Sequence, residues 1–392
     1  MVADNNAFTE NIPLSLYIHF PWCVKKCPYC DFNSHTLKSE IPEQPYIAAL
    51  LADLDEILPV LQHSKINSIF MGGGTPSLFS PTAIDTLLQG INKRLMITNH
   101  TEITLEANPG TVEYARFKAY RSIGINRLSI GVQSFQADKL HALGRIHDNQ
   151  QAILAINAAH DAGFSNFNVD VMYGLPKQTL PEAMVDLTTA IDLSPTHISW
   201  YHLTLEPNTV FYRQPPANLP DDELIDEIET TGRALLQQRG FCRYEVSAYA
   251  KAGCQAAHNL NYWQFGDYIG IGAGAHGKLT NTHTGLITRT CKQRVPANYL
   301  DANRPFTSNQ WPLSPEDKSL EFMLNALRLT EGFVESLFSY HTGLPLAAIA
   351  PQLAQAMAQG LMERQSGMLR ATPLGQRFLN DLVALFDKEC IK

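Results

Sequence analysis

Apolar positions follow two alternating rhythms through the first half of the chain. Runs in which every second residue is apolar or β-branched occupy 14–20, 66–71, 102–106, 127–130, 167–172 and 198–203, the period of a strand whose two faces differ. Between them, 46–61, 82–95, 112–123, 150–162 and 182–193 carry apolar residues at helical spacing. Several of these helical segments open on Ser, Thr or Pro and close on Gly, as helices do. Strand and helix in alternation predict an α/β fold, a parallel sheet with right-handed crossovers. About six such units, with no Gly-x-Gly-x-x-Gly after the first strand, predict a partial (β/α)6 TIM-like barrel rather than a dinucleotide-binding sheet.

The rhythm breaks after residue 206. The segment 207–312 is rich in Pro, Gly, Asn and aromatics, with a helix over 221–238 and short strands near Tyr244, Tyr268 and Leu286, an additional α+β region. From 313 to 392 the pattern is helical again, beginning with Ser314-Pro315-Glu316-Asp317, where Ser caps, Pro fits the first turn and the acids suit a helix N-terminus. Farther on it reads helix, short ribbon, helix, a winged-helix-like order. The predicted domains are therefore a barrel core over 1–206, an extension over 207–312 and a C-terminal helical domain over 313–392.

Composition narrows the function classes. Hydrophobic residues are 45% of the 392 and charged residues 17%, enough for a sizeable core. Thirty Lys and Arg against 38 Asp and Glu give a formal charge of −8, and the last segment is itself slightly acidic. Neither offers the footprint of a nucleic-acid partner, so none is expected. No apolar run reaches membrane-spanning length and the first residues lack a basic region followed by an apolar one, so a cytoplasmic protein is expected.

Seven cysteines are present, and Cys23, Cys27 and Cys30 crowd into one C-x3-C-x2-C loop directly after the first strand. That suits a metal site in a reducing compartment, at the strand end where βα-barrel sites collect. Three thiolates can hold three irons of a [4Fe-4S] cubane and leave the fourth open. An open iron can bind the amino and carboxylate groups of S-adenosylmethionine and pass an electron to its sulfonium. The competing reading is a Cys3His zinc site completed by His19 or His35, which would make a zinc-stabilised interaction protein. Cys242, Cys254, Cys291 and Cys390 are scattered and receive no role.

The string CVKKCPYC resembles the signature of the radical SAM superfamily, and YIHFPWCVKKCPYCDFNS resembles its coproporphyrinogen oxidase-like branch, the haem-chaperone group above all. The similarity extends through GGGTPSL, LEANP, GVQSF, LGRIH, DVMYGLP and HNLNYW in order. It implies that Tyr17, Gly73, Gly74 and Thr75 contact S-adenosylmethionine. Arg145 would pair with the methionine carboxylate, and Glu106, Gln133 and Asp170 would hold its amino and ribose hydroxyl groups. It further implies that His258 of HNLNYW helps bind haem, with Tyr262 and Trp263 as flat apolar neighbours.

Oxidases of this branch carry one more cysteine just after the triplet and a longer N-terminal extension. Here Cys30 is followed by Asp31 and Phe32, and 22 residues precede Cys23. The resemblance thus implies a haem chaperone with a haem-accepting partner, of a kind often found in membrane complexes, and an electron donor for the cluster. A radical enzyme acting on a porphyrinogen is the alternative. Gly272 to Gly277 fits Gly-x-Gly-x-x-Gly, but no helix follows and no acid lies at the ribose-binding distance, so a packed glycine turn is predicted there. The acidic run 221–229 reads as a solvated helix face.

Overall fold

The computed structural model describes residues 12–387, so Cys390 and the outermost residues of the first and last segments lie outside the description. Six parallel strands stand side by side in chain order: β1 (Leu14–Phe20), β2 (Ser68–Gly73), β3 (Glu102–Ala107), β4 (Arg127–Gln133), β5 (Phe167–Tyr173) and β6 (His197–His202). The returning helices are α1 (Glu43–Ile57), α2 (Pro81–Asn92), α3 (Thr111–Ser122), α4 (Ala137–Ala142), α5 (Asn149–Asp161) and α6 (Leu180–Asp192). This is the expected α/β partial (β/α)6 barrel. Local chemistry starts its helices: Ser80 caps α2, and Asp148 and Gln151 exchange hydrogen bonds across the first turn of α5.

Period-two alternation decides which side chains face the barrel interior. Leu14, Leu16, Ile18 and Phe20, with Ile69, Met71, Leu128, Ile130, Val169, Val171 and Ile198, point outward into the core beneath the helices. Their neighbours point inward, and most are polar: Glu106, Arg127, Ser129, Gln133, Asn168, Asp170, His197 and Ser199 line one internal cavity. The strand expected at 66–71 instead spans Ser68–Gly73, because Gly72 and Gly73 pair with His19 and Phe20 although they offer no side chain to the pattern.

The middle segment adds to both edges of this same sheet. Beside β6 lie β8 (Ala248–Ala250) and β7 (Cys242–Arg243); beside β1 lie β9 (Asp267–Ile271), β10 (His276–Asn281), β11 (Leu286–Lys292) and β12 (Thr307–Pro312). The twelve strands run β12-β11-β10-β9-β1-β2-β3-β4-β5-β6-β8-β7. Helix α7 (Asp222–Gln238) carries the acidic run on its exposed face, and α8 (Ala257–Trp263) crosses the foot of the barrel on the way from β8 to β9. Gly272 and Gly274 turn the chain between β9 and β10 with φ of 101° and 87°. A β-carbon at Gly272 would lie 2.4 Å from the carbonyl oxygen of His19, so this is the packed turn the sequence predicts.

The last segment forms a second core around Phe322, Met323, Phe338 and Leu369, to which Phe265 and Ile287 of the middle segment contribute. Its three-stranded sheet, β13 (Phe333–Val334), β15 (Met368–Ala371) and β14 (Met362–Gln365), stands with helices before and after it. Among the described residues no helix is long and apolar enough to cross a membrane.

Candidate functional site

The chain leaves β1 straight into the cysteine loop, whose two ends, Trp22–Cys23 and His35–Thr36, pair as a small ribbon. Within it the Cys30 amide donates to the Cys27 carbonyl at 3.2 Å, and Lys26 Nζ donates to the Phe32 carbonyl at 2.9 Å, so the loop is folded on itself. Asn33 anchors it from outside by donating to the carbonyls of Ala273 and Arg294, at 2.9 and 2.8 Å. Each thiol has a polar companion: Thr75 Oγ1 donates to Cys23 Sγ at 3.5 Å, Arg145 Nη1 reaches Cys27 Sγ at 3.8 Å, and Ser34 Oγ lies 3.8 Å from Cys30 Sγ. Burial pushes the Cys23 and Cys30 thiols up, so releasing their protons calls for a cationic partner such as a metal.

The zinc reading finds no support in this geometry. Both ring nitrogens of His19 are engaged, Nδ1 with the Tyr17 hydroxyl at 3.0 Å and Nε2 with the Asn33 carbonyl at 2.9 Å, and burial lowers its pKa to about 4. His35 does not line the cavity that the three thiols line. Among the described residues no three His, Cys, Asp or Glu side chains gather around a single-ion position.

The thiols open onto a cavity of about 780 Å3 that descends through the barrel. Gly73, Gly74 and Thr75 form its wall beside Cys23, and Gly73 has φ of 106°, which exposes backbone where a side chain would intrude. Glu106 accepts from the Gly73 amide at 3.1 Å. Burial, and then the nearby Asp170 carboxylate, push the Glu106 carboxyl up to about 8 against that donation. Asp170 is itself raised by burial, opposed by its contacts with Asn168 and Ser199.

Gln133 takes φ of 72° at a register break between β4 and β5, and its Oε1 accepts from the Tyr201 hydroxyl at 2.6 Å. A non-glycine residue in that region is strained, and here the irregularity sits at the cavity wall. Arg145 Nη2 donates to Asn108 Oδ1 at 2.7 Å and to the Gly131 carbonyl, while its buried Nε has no partner.

Cys23, Cys27, Cys30, Gly73, Gly74, Thr75, Glu106, Gln133, Arg145 and Asp170 thus come together on one cavity. Tyr17 and His258 do not line it. Tyr17 is held behind the wall by His19 and stacks near Phe70 at 6.3 Å. The His258 ring is buried at the foot of the barrel, with Nδ1 3.0 Å from Ser68 Oγ and its face 5.0 Å from the Phe70 ring. Tyr262 and Trp263 turn away toward Tyr268 and Arg328, so the three aromatic groups of the motif do not share a face.

Sequence reasoning missed Asn108, Tyr201 and Arg127. Asn108 donates to Thr75 Oγ1 at 2.9 Å and accepts from Arg145, tying two walls together, and its only sequence signal is its place in LEANP. Tyr201 and Arg127 carry no motif signal beyond an inward position on a strand.

Comparison with known proteins supports the same architecture. The family model described as the radical SAM superfamily matches residues 17–188, and that described as the HemN C-terminal domain matches 313–378. The chain is 52% identical over 378 residues to a protein of Haemophilus influenzae named heme chaperone HemW, covering 95% of this chain and 98% of that one. To the protein of that name from Escherichia coli it is 50% identical over 374 residues, and to the one from Bacillus subtilis 33% over 380, with 95% of this chain and 98% of the relative covered in each case. Among solved structures, coproporphyrinogen III oxidase (HemN) from Escherichia coli superimposes with a TM-score of 0.81 over 98% of this chain and 92% of that one, at 23% identity, a likeness of fold.

Proposed function

The chain belongs to the HemW family of the radical SAM superfamily, and from that premise we propose that it is a haem chaperone, binding a [4Fe-4S] cluster, S-adenosylmethionine and haem and handing haem to an acceptor protein. The observation that carries the reading is the convergence of three free thiols and a buried, incompletely partnered Arg145 on one cavity beside bare glycine backbone. The residues present fit both resident groups. Cys23, Cys27 and Cys30 would hold the cluster, and the spare Arg145 Nε suits a carboxylate. When bound, the cluster supplies single electrons and an iron corner for the amino-acid end of the cofactor.

The protein's own part is to orient and to dry. Arg145, fixed by Asn108 and the Gly131 carbonyl, would grip the methionine carboxylate, with Gly73, Gly74 and Thr75 against the amino group. Gln133 and Asp170 would hold the ribose hydroxyls. Glu106, poised near neutrality, would release its proton when a cationic amino group arrives, since opposite charge favours the carboxylate.

For haem the sequence points to His258, and ligation there requires the α8 end of the barrel to release the ring from Ser68. Spectral titration of wild type and His258→Ala tests it, and an unchanged affinity and Soret band would remove the assignment. The proposed setting is the cytoplasm, with an electron donor for the cluster and a haem-accepting protein as partners.

The deciding experiment is anaerobic reconstitution with iron and sulfide analysis, then haem titration and a turnover assay on one sample. A loaded protein that binds haem and makes no decarboxylated porphyrinogen is expected. Multiple turnovers to that product would replace the chaperone reading with a radical enzyme acting on a tetrapyrrole.

A further inference from the structure

Arg127 opens β4 at the foot of the barrel, where it lines the same cavity as the three thiols. Its side chain is 3% exposed, yet among the described residues its guanidinium makes no hydrogen bond, and Nε is buried without a partner. Among the described residues its one ion pair is with Glu102, at 3.8 Å, too far for a hydrogen bond, and the Asp170 carboxylate also feels its charge without bonding to it. Glu102 is committed elsewhere: it accepts from the amides of Ala257 and His258 at 3.0 and 3.2 Å, and so caps the first turn of α8.

Thr104, in register with Arg127 on β3, has a buried hydroxyl without a partner, while the polar groups on the other side are joined to one another. His197 uses both ring nitrogens, on Asn168 at 2.7 Å and Tyr244 at 2.9 Å, and Asn168 also donates to Ser129 and Asp170. A guanidinium offers five donors in a planar fork, and burying one with its donors idle is costly unless something else accepts from them. Arg145 stands nearer the cysteine loop beside Cys27, with its Nη2 on the Gly131 carbonyl, and Arg127 lies four residues before Gly131 on the same strand, roughly 13 Å at 3.3 Å per residue. The two guanidiniums therefore stand at different depths of one cavity, with the Asp170 carboxylate within electrostatic reach of both.

We propose that the foot of the barrel is a second carboxylate site, in which Arg127 receives an acid arm of the tetrapyrrole cargo. The inference rests on the haem-chaperone reading. A flat macrocycle entering edge-on from the cluster end, acid arms leading, brings a propionate to the bidentate face of Arg127. The body of the ring then lies against Phe70 and Met172, the apolar side chains of the inner wall.

The test uses the reconstituted protein and two probes, haem and haem dimethyl ester, in which a neutral methyl ester replaces each charged carboxylate. Wild type should bind haem about tenfold tighter than the ester, the size of one charge-assisted bidentate contact. Arg127→Gln should weaken haem by the same factor and leave the ester unchanged, with Arg127→Lys between. S-adenosylmethionine binding should be unaffected in both variants. The wild-type comparison needs no substitution, so it stands even if a variant fails to fold.

Equal binding of the two probes to wild type would overturn the proposal. So would an Arg127→Gln variant that loses both probes alike, a structural role, or one that loses the adenosyl cofactor alone, which would assign the carboxylate to that cofactor. A wild type that holds neither probe would end the chaperone reading and this site with it; haem bound without preference for its free acids would end this site only.

Discussion

Gly74 stands against the backbone of Trp22 so closely that a β-carbon at position 74 would lie 2.5 Å from the Trp22 carbonyl oxygen. The same backbone is held by hydrogen bonds from the Gly74 amide to the Phe20 carbonyl at 2.6 Å and from the Thr75 amide to Trp22 at 2.8 Å. The triple-glycine segment is thus a clasp on the residues that lead into Cys23. Gly74→Ala must push one strand off the other, because neither contact partner is the flexible end of a side chain. Iron content after anaerobic reconstitution should fall to about half or less while far-UV circular dichroism is retained, an outcome on the scale of one strained backbone contact. Full iron loading would count against the clasp.

Glu106 makes the protein free of cofactors pH-sensitive. Its carboxyl is raised by burial and Asp170 from 4.5 to about 8, so the folded state holds a proton there that the unfolded chain has already lost. The resulting stabilisation is fully present below the unfolded value and disappears as pH climbs through the folded one. The Tm should therefore decline across that window, and Glu106→Gln should flatten the decline. Affinity for S-adenosylmethionine should rise with pH over the same range in wild type and lose that dependence in the variant, as isothermal titration would report.

Arg145 is placed by Asn108 and Gly131, not by a neighbouring carboxylate. Arg145→Met should weaken S-adenosylmethionine about 10- to 100-fold, the range of a lost charged hydrogen-bond pair. Arg145→Lys should recover little of it, since an ammonium cannot reproduce the fork that meets Asn108, the Gly131 carbonyl and a ligand together. A lysine variant with full affinity would show that charge alone suffices.

Asp53 of α1 is fully buried and pairs with Lys292 of β11, while the Tyr299 hydroxyl donates to its other oxygen at 2.7 Å. This cluster ties the first helix of the barrel to a strand added at the sheet edge. Asp53→Ala strands a buried ammonium and should cost about 3–5 kcal/mol in urea unfolding. Adding Lys292→Met should return most of the loss, because the uncompensated charge, more than the missing attraction, is what destabilises. A double variant as weak as the single would point to packing instead.

The sequence made the barrel legible because each of its strands is two-faced: Leu16 and Ile18 against Ser15 and Tyr17 on β1, or Leu128 and Ile130 against Arg127 and Ser129 on β4, declare the period without any partner in view. The cysteine triplet and its glycine neighbours were legible for a similar reason, since their spacing is local. The middle segment was not. Its strands β9 and β8 pair with β1 and β6 at opposite edges, and β9 finds its register more than 250 residues from its partner in the sequence. Nothing in a short window records such a pairing.

His258 marks the same boundary. The motif gave the residue types, but the groups that settle where its imidazole points, Ser68 and Phe70, lie on β2. Arg127 shows the converse case: a lone basic residue opening a strand looks like a solvated charge, and only the fold, which joins Asn168, His197 and Ser129 to one another instead, leaves its donors idle.

Because α8 lies across the foot of the barrel, with its opening amides fastened to Glu102, traffic through the interior has a natural sequence. A molecule destined for the deepest position has to arrive while the upper part is vacant and can depart only after whatever settled above it has gone. On the chaperone reading the enclosure would work as a stack, and the order of loading, not affinity alone, would set which guest can be released first.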